Sequence, residues 1–311
     1  MALFSEVGRE VAYMRCGIVN VAAIGNRARW ILVDAGLRGY GRAIRAAADA
    51  RFGDGSRPAA IILTHGHFDH VGSLEYLLDA WDVPVYAHPL EMPYLTGRSS
   101  YPPPDPLVGG GAMALLSRAY PRGPIDITGR VRDLPADGAV PDVVGWRWIH
   151  TPGHTPGHVA LFREMDRTLV SADALITTKQ ESMTAVMLQR REIHGPPAYF
   201  TPDWDRARES VRALAALAPD LLVPGHGQPW RGEVMRDAVY VLAEHFDRAE
   251  RPRFGRYATQ PAIADSGGIV MLPPDPLPAV LAGVGAIAAT AGIAWAATAA
   301  RKRVVPRHSH S

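Results

Sequence analysis

The stretch Thr64-His65-Gly66-His67-Phe68-Asp69-His70-Val71-Gly72 places three histidines and one aspartate within six residues. An apolar run, residues 59–63, precedes it, and an apolar-periodic run, residues 72–81, follows it. This order predicts a buried strand, a loop and then a helix. Imidazoles and a carboxylate on such a loop can converge on one point, and zinc is the metal most commonly bound by that set of ligands. The stretch therefore predicts a metal site at the end of a strand.

The composition limits the classes of protein to which the chain can belong. With 311 residues, 47% of them hydrophobic, it can bury the core of one large domain or two medium ones. The net charge is only +2 and no basic block precedes residue 300, so nothing favours binding to nucleic acid. The single cysteine, Cys16, excludes an intramolecular disulfide and is expected to be a small buried residue. Residues 1–17 contain no uninterrupted apolar core, so we expect no signal peptide and a cytoplasmic protein.

Apolar runs alternate with helical patterns along the chain, which predicts a layered, mixed α/β fold. Strands are predicted over 11–14, 19–24, 30–33, 59–63, 83–87, 130–134, 146–149, 159–163, 168–171 and 221–223. Helices are predicted over 41–52, 112–120, 205–217 and 232–251. Residues 94–126 form a long insertion with Pro-rich and Gly-rich stretches, and such insertions are usually functional or disordered.

Three more candidate ligands follow predicted strands. His154 lies in Thr-Pro-Gly-His-Thr-Pro-Gly-His, Asp173 comes after the apolar run 169–172, and His226 lies in Pro-Gly-His-Gly. The neighbouring glycines allow the backbone to approach a metal closely. Binding sites on layered folds commonly lie at strand ends, so we expect these residues to join the first stretch.

Other polar residues have two interpretations each. Asp34 could orient a ligand histidine, or it could form a turn or a helix cap. His158 is expected to support a ligand or to lie in the core. His88 could face either the cleft or the surface.

Taken together, the ordered motifs resemble those of the metallo-β-lactamase superfamily over roughly residues 10–250. The matching residues are the HxHxDH run at 65–70, His154, Asp173, His226 and the early Asp34-Ala35-Gly36. The resemblance implies an αββα sandwich with metals in the cleft between two sheets. Asp173 resembles the bridging carboxylate of both the glyoxalase-II-like and the lactonase-like branches. The closest likeness is to glyoxalase-II-like bacterial metallohydrolases of unassigned substrate, which share the stretch from Tyr94 to Pro106. The lactonase-type tyrosine after that aspartate is absent, since residues 175–177 are Leu-Ile-Thr.

The family's ligands transfer to this chain residue by residue. His65, His67 and His154 would bind a first metal, Asp69, His70 and His226 a second, and Asp173 would bridge them. Two Zn²⁺ ions are expected, although iron or manganese suit the same ligands. A metal-bound hydroxide would then attack the carbonyl carbon of a small ester, thioester or lactone, with Asp69 as the catalytic residue that handles the proton.

The ligands alone leave other activities open. A mononuclear iron enzyme of the persulfide-dioxygenase kind has the same fold and similar ligands. A phosphodiesterase or nuclease would need a basic track that this chain lacks, and a silent scaffold would not need seven ligands. In the insertion, the aromatic and arginine residues Tyr94, Arg98 and Tyr101 are predicted to bind the small-molecule substrate, together with Arg118 and Tyr120. Residues 179–199, with Met183 and Met187, would form the opposite lip.

The C-terminal part has a different character. After the predicted catalytic domain, 1–251, residues 252–276 are expected to be a coil linker. Residues 277–300 contain no charge and predict a hydrophobic helix long enough to span a bilayer. The basic tail, 301–311, favours a cytoplasmic C-terminus. We expect a transmembrane helix that anchors a cytoplasmic enzyme to the inner face of the membrane. The alternative is a helix that lies on the membrane surface or packs on a partner. The sequence does not determine the oligomeric state.

Overall fold

The computed structural model describes residues 3–280 and residue 282. The chain divides into two compact units, Met1–Pro273 and Pro274–Ser311. The fold and the candidate site described below belong to the first unit.

A seven-stranded sheet forms from the N-terminal half. Its strands lie in chain order: β1 Ser5–Gly8, β2 Val11–Cys16, β3 Val19–Gly25, β4 Trp30–Val33, β5 Ile61–Ile62, β6 Val85–Ala87 and β7 Val131–Asp133. The first four pair antiparallel, whereas β4 to β7 are parallel. The helices between them are α1 Gly41–Phe52, α2 Phe68–Val71, α3 Leu74–Trp81, α4 Met92–Leu95 and α5 Ala112–Leu116.

A five-stranded sheet forms from the C-terminal half. Its strands are β8 Trp146–His150, β9 Val159–Arg163, β10 Thr168–Ala172, β11 Leu221–Pro224 and β12 Trp230–Arg231, in the order β12-β11-β10-β9-β8. Only β10 and β11 are parallel. The helices of this half are α6 Met183–Leu188, α7 Trp204–Ala216 and α8 Glu233–Ala249.

The central strands of both sheets are buried on two faces, which produces four layers. In β4, Trp30 and Leu32 pack with helices α1 and α3, whereas Ile31 and Val33 pack toward the second sheet. On the far side, α7 and α8 cover the outer face of the second sheet. Strands buried on both faces are continuously apolar, and this is why the sequence pattern identified them. The predicted mixed α/β fold is confirmed, and the layers follow the order helix, sheet, sheet, helix.

Local predictions differ from the structure in several places, among them strands β1 and β12, which were not predicted. The predicted helix 112–120 is a short helix, α5, followed by a 3₁₀ turn, Ser117–Ala119. Helix α6 was not predicted. The expected coil at 252–276 instead contains a hairpin, β13 Ile263–Asp265 with β14 Gly268–Met271, whose Ile269 N–H donates to Ser99 Oγ at 3.2 Å. This hydrogen bond connects the hairpin to the insertion, and both belong to the first unit.

The prediction of a transmembrane helix, and of membrane anchoring with it, is wrong for the part of the chain that the structure describes. Between residues 3 and 280, and at residue 282, no helix is both long and apolar enough to cross a bilayer. The longest, α8, has only 17 residues and contains charged side chains, whereas a span needs about 20 apolar residues. Most of the predicted helix 277–300 and the whole tail 301–311 lie outside the described residues.

Candidate metal centre

The seven predicted ligands lie together at one edge of the two sheets. The segment after β5 contains four of them, two in the loop and two in α2, the β8–β9 loop contains His154, and β10 and β11 end just before Asp173 and His226. Each of the seven side chains is buried, and the most accessible, Asp69, is only 6% exposed. His65 and His226, the first and last of the seven, are 161 positions apart in the sequence. They lie in one cluster because the strand ends converge at one edge of the sheets.

Three imidazoles form the first group of potential ligands. His67 Nδ1 lies 3.0 Å from His65 Nε2 and 2.9 Å from His154 Nε2. A ring nitrogen carries either one proton or one lone pair. His67 Nδ1 therefore cannot form a good hydrogen bond to both of its neighbours. A cation between them would accept all three lone pairs.

The second group contains Asp69, His70 and His226, with His226 Nε2 at 3.6 Å from Asp69 Oδ2. Asp173 lies between the two groups. Its Oδ2 is 3.2 Å from His154 Nε2 and 3.1 Å from His226 Nε2. Its Oδ1 is 3.3 Å from His70 Nε2. One carboxylate thus contacts nitrogens of both groups.

The donor set fits metal ions. His70 Nε2 and Asp173 Oδ1 are buried, face each other and form no hydrogen bond, although buried polar atoms are normally paired. Histidine and carboxylate are ordinary ligands of zinc, iron and manganese. Metal ions would satisfy atoms that the protein leaves without partners.

Burial and charge divide the histidines into two kinds. Burial, with the neighbouring imidazoles, lowers the pKa of His65 and His67 well below the usual value, so both are neutral, as a metal ligand must be. Burial also acts to lower the pKa of His70 and His226, but nearby carboxylates, Asp173 above all, outweigh it and raise both. Although burial opposes ionisation of Asp173, His226 and His70 hold the pKa of its carboxyl well below the usual range. The histidines of the second group therefore lie closer to carboxylates than those of the first group.

Hydrogen bonds to the far side of two ligand rings, those of His70 and His226, set their orientation. Asp34 Oδ2 accepts from His70 Nδ1 at 2.8 Å, and the backbone oxygen of Ile18 lies 2.7 Å from His226 Nδ1. His158 Nε2 accepts from the backbone N–H of Asp173 at 3.1 Å. Asp34 and His158 thus occupy the supporting positions that the sequence suggested, a role that metal sites commonly need.

Two of the supporting segments adopt left-handed backbone conformations. Asp34 has φ of +62°, and Ala172, just before Asp173, has φ of +44°. Such values are uncommon for residues with a side chain and concentrate at functional sites. Here they turn the chain at the ends of β4 and β10 toward the cluster.

Sequence reasoning did not identify Glu91, which contacts two of the loops that carry ligands. Its fully buried carboxylate accepts four hydrogen bonds, two at each oxygen. Gly66 N–H (3.1 Å) and Tyr101 O–H donate to Oε2, whereas Thr155 Oγ1 (2.7 Å) and Gly157 N–H (2.8 Å) donate to Oε1. Glu91 thereby connects the His65–His67 loop to the His154 loop. No local motif distinguishes it from an ordinary surface glutamate near a helix start.

The predicted substrate-binding residues of the insertion have other surroundings. Tyr94 and Tyr101 are buried and stack on each other with ring centroids 4.0 Å apart. Tyr101 also accepts from Gly66 N–H at 2.8 Å and packs on His67, so it lies behind the metal loop. Arg98 lies at the surface and donates to Thr96 Oγ1. The first part of the insertion therefore packs in the core, because Tyr94 and Tyr101 are buried and Tyr101 contacts the metal loop, whereas residues 121–124 are exposed.

Other aromatic residues cover the centre instead. Phe200 stacks on His67 at 4.7 Å, and Tyr120 lies 5.5 Å from Phe68 and 6.1 Å from Phe200. Tyr120 was among the predicted wall residues, whereas Phe68 and Phe200 were not. His88 does not reach the cluster: it stacks on His150 at 4.1 Å.

Comparison with known proteins adds independent support for the fold and chemistry. The model of the metallo-β-lactamase superfamily matches residues 14–226, a span that includes all seven clustered ligands. A probable metallo-hydrolase of Bacillus subtilis (strain 168), YflN, is 51% identical over 214 residues, or 69% of this chain and 81% of that protein. A second probable metallo-hydrolase of the same strain, YybB, is 29% identical over 198 residues. The match covers 63% of this chain and 75% of YybB.

A solved structure agrees at the level of the fold. The crystal structure of a β-lactamase domain protein from Burkholderia ambifaria has a TM-score of 0.53 and 24% identity. The match covers 79% of this chain and 76% of that one.

Proposed function

The chain belongs to the metallo-β-lactamase superfamily, and on this premise we propose that it is a metal-dependent hydrolase with two metal ions that cleaves small esters, thioesters or lactones. The observation that supports two ions is the position of Asp173, whose carboxylate contacts nitrogens of both ligand groups. His65, His67 and His154 would bind one ion, Asp69, His70 and His226 the other, and Asp173 both. Zinc is the expected metal, with iron or manganese as alternatives.

The metal ions, when bound, supply a water whose pKa falls to about 7 and a Lewis acid that polarises the carbonyl oxygen. The protein's own residues perform the remaining tasks. Asp34 and His158 hold His70 and Asp173 in place, and the aromatic cover excludes bulk water. Asp69, the most accessible of the seven, is positioned to orient the attacking water and to hold its proton.

Metal analysis and substitution test the proposal together. Purified protein should contain close to two transition-metal ions per chain, and His154→Ala should lose at least one. Asp69→Asn should keep the fold but lower kcat about 10²–10⁴-fold, because it removes a charged ligand and a proton acceptor. His245→Ala, a change of an exposed histidine on α8, is the matched control and should keep both ions and full activity.

A panel of thioesters, lactones, phosphodiesters and β-lactams then identifies the reaction. A fully active preparation without bound metal would falsify the mechanism. One iron per chain, with oxygen consumption and no hydrolysis, would instead favour an oxygenase of the persulfide-dioxygenase kind.

A further inference from the structure

A cavity of about 250 Å³ lies beside the loop that carries His154. Its lining comes mainly from residues 150–156, from the start of α7 and from the β13–β14 hairpin. Pro102 and Pro202 line both this cavity and the small space beside His67, so the two spaces adjoin. None of the seven clustered metal ligands is among the fifteen described residues that line the cavity. It is therefore a space separate from the metal centre.

Backbone hydrogen bonds hold three walls of the cavity together. Asp203 N–H donates to the backbone oxygen of Gly153 at 3.2 Å, and Ala262 N–H donates to that of Pro202 at 3.0 Å. Five of the fifteen lining residues are prolines, whose side chains lose almost no conformational freedom when they are buried. A ligand would therefore meet walls that need little ordering on binding.

Two opposite charges line this cavity without pairing with each other. Asp203 and Arg206 are the charged residues of the lining, because burial lowers the pKa of His150 and leaves that ring neutral. Asp203 Oδ1 accepts from the backbone N–H of Arg206 at 3.0 Å, so the carboxylate lies at the base of that residue. In the part of the chain that the structure describes, the Arg206 guanidinium forms no hydrogen bond and no ion pair. The cavity thus presents one anion and one cation over a short distance.

The ligand that matches this lining carries both charges and an apolar part. A guanidinium binds a carboxylate through two parallel hydrogen bonds, and a carboxylate binds an ammonium group. A free α-amino acid has both groups on one carbon atom. The apolar part of the lining, which includes Leu90, Ile263 and Ile269, suits an apolar side chain. The cavity is smaller than those that bind drug-sized molecules, which favours a ligand of few atoms.

We propose that this cavity binds a free apolar α-amino acid, with its carboxylate on Arg206, its ammonium group on Asp203 and its side chain against the proline walls. Gly153 and Thr155 line the cavity on either side of His154 in the sequence, so the bound amino acid restrains the loop that supplies this metal ligand. The inference concerns a second site and does not depend on the proposed hydrolysis.

Titration calorimetry on the metal-loaded full-length protein tests the class of ligand. L-Leucine should bind at least about tenfold more tightly than leucinamide, which lacks the carboxylate, or N-acetyl-leucine, which lacks the ammonium charge, because each analogue loses a charged hydrogen bond. Glycine should also bind at least about tenfold more weakly than leucine, since it buries no side chain. If leucine does not bind, or if leucinamide or N-acetyl-leucine matches its affinity, the proposal is refuted.

Two variants assign the charged groups. Arg206→Gln should weaken leucine binding about 10–100-fold but should not weaken the binding of leucinamide, which has no carboxylate to lose. Asp203→Asn keeps an acceptor at the start of α7 and should weaken leucine binding to a similar extent, but not the binding of N-acetyl-leucine. Arg45→Gln, a change of an exposed arginine on α1, is the matched control and should have no effect. Native leucine affinity in either cavity variant contradicts the assigned position.

Hydrogen–deuterium exchange locates the ligand independently of the variants. Saturating leucine should slow amide exchange severalfold in residues 152–156 and 261–269, because these segments form two of the walls. Exchange in α1, which packs on the other sheet, should not change. Unchanged exchange in both walls would show that leucine binds elsewhere and would overturn the proposal.

Discussion

Glu91 connects the two loops that supply the first ligand group. Its four hydrogen bonds come from the metal loop, the insertion and the β8–β9 loop, so one carboxylate fixes the spacing of His65 and His67 relative to His154. Burial raises the pKa of Glu91, and the four donors oppose that rise. Its donors are the backbone N–H groups of Gly66 and Gly157 and the hydroxyls of Tyr101 and Thr155, so Glu91 acts on the ligands through the segments that carry them.

The prediction at the residue scale concerns Glu91→Gln. An amide keeps one acceptor oxygen but turns an NH₂ group toward two of the donors, so one loop loses its anchor. Metal affinity at the His65, His67 and His154 group should fall about 10–100-fold, while the second group keeps its ion. Titration with Co²⁺, whose absorption reports each coordination sphere, measures both affinities.

Glu181→Gln is the matched control for that experiment. Glu181 is also buried and accepts from a backbone N–H, that of Ala198, but it contacts neither ligand loop. The Glu181→Gln variant should therefore leave the metal affinity of both groups unchanged. Equal weakening of the two metal sites by Glu91→Gln would mean that Glu91 acts on general stability instead.

Helix α7 holds the His154 loop from the outside. Ser210 Oγ donates to the backbone oxygen of Pro152 at 2.7 Å, and Asp203 N–H donates to that of Gly153 at 3.2 Å. Gly153 has φ of +133°, and a Cβ there would lie 2.4 Å from Ala207 N. The first turn of the helix is thus in direct contact with the loop, which only glycine permits at this position.

The prediction at the element scale concerns the N-cap of α7. Asp203 Oδ1 accepts from Arg206 N–H at 3.0 Å and satisfies one of the free donors at the helix start. Asp203→Ala should therefore lower the free energy of unfolding by about 1 kcal/mol and Tm by about 2–4 °C. Asp203→Asn keeps an acceptor and should restore most of that loss. Calorimetry checks both, and an alanine variant as stable as the native protein contradicts the capping role.

At the scale of the whole molecule, the ligands come from both sheets. The loop after β5 belongs to the seven-stranded sheet, whereas His154, Asp173 and His226 belong to the five-stranded one. Bound metal would connect the two sheets at one edge and neutralise carboxylates that are otherwise buried together.

The prediction at this scale is that metal removal destabilises the entire fold. A ligand at 1,000 times its Kd stabilises the native state by about 4 kcal/mol, so dialysis against a chelator should lower Tm by several degrees. Re-addition of zinc should restore it, measured by scanning calorimetry. The double variant His154→Ala with His226→Ala should give no response to zinc. A chelated native protein with an unchanged Tm would show that the cluster does not bind metal tightly.

The sequence by itself determined the layered α/β fold and the identity of the clustered side chains. Strands buried on both faces must be continuously apolar, and ligands at strand ends leave local motifs such as HxHxDH and Pro-Gly-His-Gly. Only the tertiary structure decided that Glu91 joins loops 25 and 64 positions away, that Tyr101 is buried, and that Phe68 and Phe200 cover the centre. The physical reason is that a hydrogen bond or ring contact between distant segments depends on how the layers pack, and packing leaves no periodic or local trace in the chain.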